Sequence, residues 1–206
     1  EKDCVLEDFV EFDHGFDVYA QQFFKDEKGR MIMAGWMGLP DIDYKNPTVE
    51  EGRQHAFTLF REITEHNGKL YQYPLEEYKA LRKDSKEIHG TTLPLEQTSF
   101  ECHLSNLPLN FKLSFRDVKM CYDNGLFTID MSASGEGRGE KHIKIPTLNN
   151  ITIYSDTSSL ELFFNDGAYA FTTRIYDHNE KSELTINHDI DMVYYNLKAI
   201  QIEPAK

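Results

Sequence analysis

At 206 residues and a formal net charge of −13, the chain is long enough for a sizeable core and too acidic to offer nucleic acid or an anionic membrane a basic face. Its 40% apolar and 13% aromatic content fit a folded protein, and no apolar run approaches the roughly 18 residues of a membrane-spanning helix. Cys4, Cys102 and Cys121 are scattered and odd in number, and no basic-then-apolar leader opens the chain, so the expected setting is reducing and cytoplasmic.

In chain order, residues 18–24 and 30–36 read as two strands joined by a polar turn ending at Gly29. Residues 74–82 read as a short helix: Pro74 suits the first turn, Glu76 and Glu77 its positive end, Arg82 and Lys83 its negative end. From Thr98 onward short strands alternate with turn signals, the pattern of a β-sandwich. Asn124-Gly125 predicts a hairpin pairing Tyr122 with Phe127, Met120 with Ile129 and Lys119 with Asp130. Residues 134–141 read as a flexible, Gly-rich polar loop. It neither follows a strand nor opens a helix, so it is not a phosphate cradle. Asp166-Gly167 predicts a second hairpin, with Phe164 opposite Tyr169, Leu162 opposite Phe171 and Leu160 opposite Thr173 on the core face. Glu161 and Thr172 then take the other face, expected to be outside the core.

Other polar clusters carry little chemistry. The eight histidines lack metal-ligand spacing, and Asp41-Ile42-Asp43 and Asp189-Ile190-Asp191 fall short of a calcium loop. No cofactor is expected.

Two blocks resemble glycoside hydrolase family 32, the invertases and fructanases. One is residues 13–40, with Asp17-Val-Tyr19-Ala-Gln-Gln, Gly29-Arg30 and Gly35-Trp36-Met-Gly38. The other is residues 152–176, with Ser158-Ser-Leu-Glu-Leu-Phe-Phe-Asn-Asp-Gly167 and Thr173-Arg-Ile-Tyr176. Residues 51–63 and 67–74 resemble two further strands of that family, with Arg53 where Trp is usual and Phe60 where Pro is usual; Thr157 likewise replaces an Arg.

The resemblance implies an all-β chain: the closing part of a five-bladed β-propeller over 1–74, a linker helix over 75–83 and a C-terminal β-sandwich over 84–206. It implies retaining hydrolysis of β-fructosides such as sucrose or sucrose 6-phosphate. The family's catalytic motifs are Asn-Asp-Pro-Asn-Gly, Arg-Asp-Pro and Glu-Cys-Pro, and none occurs here, so no catalytic residue is expected within the chain. Glu101-Cys102 is followed by His103 and Arg116-Asp117 by Val118, and both are read as ordinary sandwich positions. Trp36, Asp17 and Tyr19 are the candidate substrate-binding residues, Trp36 serving either as a sugar platform or as packing between blades. The competing class is a fructan-binding or bracing sandwich module. As part of a propeller, residues 1–74 are expected to expose Phe23, Ile32, Phe57 and Leu59 and to be mobile or self-associating, while 84–206 fold on their own.

Overall fold

A computed structural model describes residues 9–178 and 182–201. Cys4 and the ends of the two expected domains lie outside the described residues. The first sheet is an antiparallel meander of β1 (Tyr19–Lys25), β2 (Met31–Trp36), β3 (Arg61–His66) and β4 (Lys69–Pro74), adjacent in that order, which is the build of one propeller blade. Tight polar turns with Gly29 and Gly68 at positive φ link its two hairpins.

The second sheet has ten strands and bends over on itself. Its order runs β10 (Glu140–Lys144), β9 (Leu126–Asp130), β8 (Val118–Asp123), β7 (Asn110–Phe115), β14 (Glu183–Leu197), β6 (Phe100–Ser105), β11 (Asn150–Asp156), β12 (Ser159–Phe164) and β13 (Tyr169–Arg174). The strand β5 (Arg82–Pro94) pairs along β14. The bend is made by β14, whose start pairs with β7 and whose end pairs with β6, with a register break between Thr185 and Ile190. A bulge of this kind lets one strand turn a corner between two layers. The layers then meet face to face, with the Phe127 and Phe164 rings 4.7 Å apart in a core that also holds Phe100, Phe115 and Leu162.

Both hairpins have the expected register: Met120 opposes Ile129, and Leu162 opposes Phe171. The 165–168 turn is longer than a two-residue link, because Asn165, Asp166 and Gly167 all take positive φ. The linker is a short 3-10 helix over Glu76–Leu81; Pro74 remains in β4, and β5 begins at once at Arg82. The strand β5 gives no alternating signal because nearly all of it is exposed or half-exposed.

Two expectations are corrected by the packing of blade on sandwich. The Glu161 face of the second hairpin is not open: Glu161, Phe163, Thr172 and Arg174 are buried there, beneath the N-terminal blade. Phe163 beside Phe164 forces the outcome, since adjacent aromatics on a strand point to opposite faces and both need cover. The stretch 131–139 is likewise held in place, because its Arg138 is buried and bound to Asp17. Within the blade Ile32 is 1% exposed, so only Phe23, at 51%, and Phe57, at 76%, are left strongly exposed; Leu59 packs beside Phe163.

Candidate functional site

Two buried arginine–carboxylate groups join the blade to the sandwich, a third lies within the sandwich beside the seam, and the candidate site grows from their placement. The first centres on Arg61, whose side chain is wholly buried. Its Nη1 donates to Asp13 Oδ2 at 2.9 Å and to Gln72 Oε1 at 2.6 Å, and its Nη2 donates to Glu161 Oε2 at 2.5 Å and also to Thr172 Oγ1. The guanidinium also stacks 4.9 Å from the Phe163 ring centroid. Leu59 N donates to Glu161 Oε1 at 2.7 Å, and Thr172 N donates to Asp13 Oδ1 at 3.0 Å. Fixed donors thus surround both carboxylates, which is what a buried charge requires.

The second group holds Asp17. Arg138 grips it with both nitrogens of a fork, Nε to Oδ2 at 2.6 Å and Nη2 to Oδ1 at 2.7 Å. Arg174 N and Thr173 Oγ1 donate to Oδ2 at 2.8 and 3.1 Å. With Asp17 only 1% exposed, these bonds occupy its carboxylate fully, and it works as an anchor of the blade. Gly15 allows the chain to approach here: an added Cβ would lie 1.9 Å from the Thr172 carbonyl oxygen.

The third group lies at the other end of the seam. Arg82 Nε and Nη2 donate to the two oxygens of Glu101 at 2.7 and 2.6 Å, and His103 Nε2 bonds the same carboxylate at 2.7 Å. Burial alone would raise the Glu101 pKa; the hydrogen bonds and charges of Arg82 and His103 outweigh it and hold the carboxyl at about 2. Glu101 is thus a sandwich position, as read from the sequence, whose arginine and histidine partners lie beside the seam. Arg116 and Asp117 brace the turn between β7 and β8, where Asp117 accepts from His178 N at 2.9 Å.

Trp36 and Tyr19 come together at one end of the blade. They face each other across β1 and β2, their rings edge-on at 6.2 Å, and His55 lies 5.5 Å from the indole. A register break between Tyr19 and Gln22, with Ala20 at φ +52°, re-aims Tyr19, which stays 49% exposed. Gly38 sits so close to the indole that a Cβ there would be 2.7 Å from Nε1. That indole N–H is buried against Gly38 and has no hydrogen-bond partner, so what the cluster offers is aromatic surface. Asp17 does not join this pair.

Sequence reasoning missed Arg61, Glu101 and Arg138, because each finds its partner through chain reversal rather than spacing. The one available signal was Glu161 sharing a face with Phe163. Among the described residues no group of three or more His, Cys, Asp or Glu is placed to hold a metal ion, and no helix is long and apolar enough to cross a membrane.

Residues 1–74 match the profile described as the glycosyl hydrolases family 32 N-terminal domain, and residues 77–200 match the family 32 C-terminal profile. The chain is 32% identical to a sucrose-6-phosphate hydrolase of Bacillus subtilis (strain 168) over 86% of its own length and 40% of that protein's. It is 30% identical to one from Staphylococcus xylosus over 93% of its own length and 44% of that protein's. The chain thus spans about 40% of the length of these relatives. Among solved structures, a sucrose-6-phosphate hydrolase from Lactobacillus gasseri superimposes with a TM-score of 0.82 at 22% identity, covering 91% of this chain and 42% of that one. A β-fructofuranosidase from Bombyx mori gives 0.73 at 21% identity, covering 92% of this chain and 42% of that one.

Proposed function

Since the chain belongs to glycosyl hydrolase family 32, we propose that it supplies the closing blade and C-terminal sandwich of a β-fructofuranosidase acting on sucrose or sucrose 6-phosphate. The observation that carries this reading is the Arg61 node, which ties blade to sandwich with buried charge on both sides. A stand-alone binding module would have no use for such a seam. The similarity to sucrose-6-phosphate hydrolases favours a phosphorylated disaccharide.

Retaining hydrolysis uses one carboxylate as nucleophile and a second as acid and base, both within reach of the sugar. The buried carboxylates described above are each committed to an arginine and to backbone or hydroxyl donors, so none is placed to attack or protonate a sugar. The reacting carboxylates are therefore assigned to other blades of the complete enzyme, with the sandwich fixing the orientation of the last one. Trp36 and Tyr19 supply an aromatic wall at the end of the blade for a sugar face.

Two measurements test this. The purified 206-residue chain should not hydrolyse sucrose or sucrose 6-phosphate, whereas the same chain joined to the early blades of a family member should. Turnover by the isolated chain would overturn the assignment. In the joined enzyme Trp36→Ala should raise KM roughly two- to tenfold, from the about 0.5–1.5 kcal/mol of an aromatic contact. A fall in melting temperature at constant KM would make Trp36 a packing residue instead.

A further inference from the structure

The connection between β2 and β3, residues 37–56, leaves the blade at Trp36 and returns at Phe57. Those two residues bridge one another, and Met37 N donates to Ala56 O at 2.8 Å. None of its described residues joins a strand, and its one regular element is the 3-10 turn Pro47–Val49. A loop this long costs conformational entropy to order, so it needs an anchor away from its stem. The sandwich supplies one. Arg138 Nη2 donates to Asn46 Oδ1 at 3.1 Å, and its guanidinium stacks 4.9 Å from the Tyr44 ring centroid. Arg174 Nη2 donates to Thr48 Oγ1 at 3.4 Å, and both Asn46 and Thr48 are buried.

The seat itself is fixed. Within residues 131–139, Met131 N donates to Gly139 O at 2.9 Å, Gly135 N to Met131 O at 2.8 Å, and Arg138 Nη1 to Glu136 O at 2.6 Å. Gly137 has φ +70°, and an added Cβ would lie 2.0 Å from the Tyr44 ring. A glycine stands there because the ring occupies the space a side chain would need. From the seat, hydrogen-bonded turns lead back to the blade: Glu51 N donates to Thr48 O at 3.2 Å and Arg53 N to the same oxygen at 2.9 Å. His55 follows two positions later, 5.5 Å from the Trp36 indole. Fixing Thr48 therefore fixes where His55 stands.

We propose that Gly137, Arg138 and Arg174 of the sandwich are positioning residues for the aromatic wall: they seat Tyr44, Asn46 and Thr48 and so set the edge-on contact of His55 with Trp36. The sandwich then acts on the blade end through a loop as well as through the buried ion pairs. Its effect on turnover rests on the reading of Trp36 and Tyr19 as a substrate wall. A wall that binds ground state and transition state alike acts on KM rather than on kcat, so loosening the seat raises KM.

Trp36 is the only tryptophan of the 206-residue chain, so its fluorescence reads the contact directly. Tyr44→Ala and Asn46→Ala should each raise acrylamide quenching of Trp36 roughly twofold, as the freed loop uncovers the indole. Thr48→Val, nearly isosteric, should act in the same direction without leaving a hole. Tyr44→Phe keeps a ring over Arg138 and should restore native quenching, and the exposed Lys45→Ala should not disturb it. Arg138 is left intact because it also holds Asp17. Since the seat acts through His55, Tyr44→Ala should add little once His55→Ala is present. Quenching unmoved by Tyr44→Ala and Asn46→Ala, no rescue by Tyr44→Phe, or full additivity with His55→Ala would each overturn the proposal. In the joined enzyme the same loop variants should raise KM roughly two- to tenfold with kcat held. Quenching that rises while KM stays native supports the seat and sinks instead the reading of Trp36 as a substrate wall.

Discussion

Arg61 is wholly buried and bonded to Asp13, Gln72, Glu161 and Thr172, residues drawn from distant stretches of the chain. Replacing it with methionine would leave two carboxylates buried without a counter-charge, and breaking a buried pair from one side costs about 3–5 kcal/mol. Chemical denaturation of Arg61→Met should show a loss of that size, and adding Asp13→Asn and Glu161→Gln should recover much of it. A loss under about 1 kcal/mol would mean that water reaches the node. Glu101 makes a pH-dependent counterpart. Its folded pKa, about 2, lies below the ordinary glutamate value, so its pairing stabilises the fold at neutral pH and is lost as pH falls from about 4.5 towards 2. The melting-temperature advantage of the native protein over Glu101→Gln should therefore be full above pH 5 and vanish near pH 2. An advantage constant across that window would show that the carboxylate charge is not what matters.

At the scale of elements, the hairpin tip at 165–168 both turns the chain and docks it. Gly167 has φ +92°, its carbonyl accepts from Gln72 N at 3.0 Å, and an added Cβ would lie 2.3 Å from the Gln72 carbonyl oxygen. Gly167→Ala carries about 1–2 kcal/mol of backbone strain and must also push β4 away. It should lower stability by at least that amount and speed amide exchange at Gln72; unchanged exchange there would sink the docking role. Both hairpin registers could be read in the sequence, because turn residues and alternation act over a few positions. The strand β5 could not, since its exposed, polar residues carry no period and its place is set by β14, about a hundred residues later. The seam was hidden for the same reason: Glu161 looks solvent-facing until a second domain covers it. Trp36 and Tyr19, singled out separately in the sequence, prove to be cross-strand partners, while nothing near Asp17 in sequence points to Arg138.

For the whole molecule, the Arg61 and Arg138 nodes argue that blade and sandwich unfold together. A single calorimetric transition is expected, with β3 exchanging as slowly as β12; early loss of residues 13–74 alone would show the seam to be weak. This replaces the expectation of a mobile N-terminal portion. Phe24 and Phe60, exposed and meeting edge-on at 6.5 Å, form an apolar patch through which isolated chains are expected to associate.

The Asp13–Thr172 contact spans 159 positions, and that distance has a consequence in time. A ribosome delivers the chain from the N-terminus at roughly 5–20 residues per second. Asp13 and Arg61 therefore emerge seconds before Glu161 and Thr172 exist to receive them. Until then the blade carries charges it cannot bury and aromatic faces it cannot cover, and contacts of such long range form slowly. This blade is thus synthesised before the sandwich yet completed only after it, and the nascent blade is where a chaperone would have most to do.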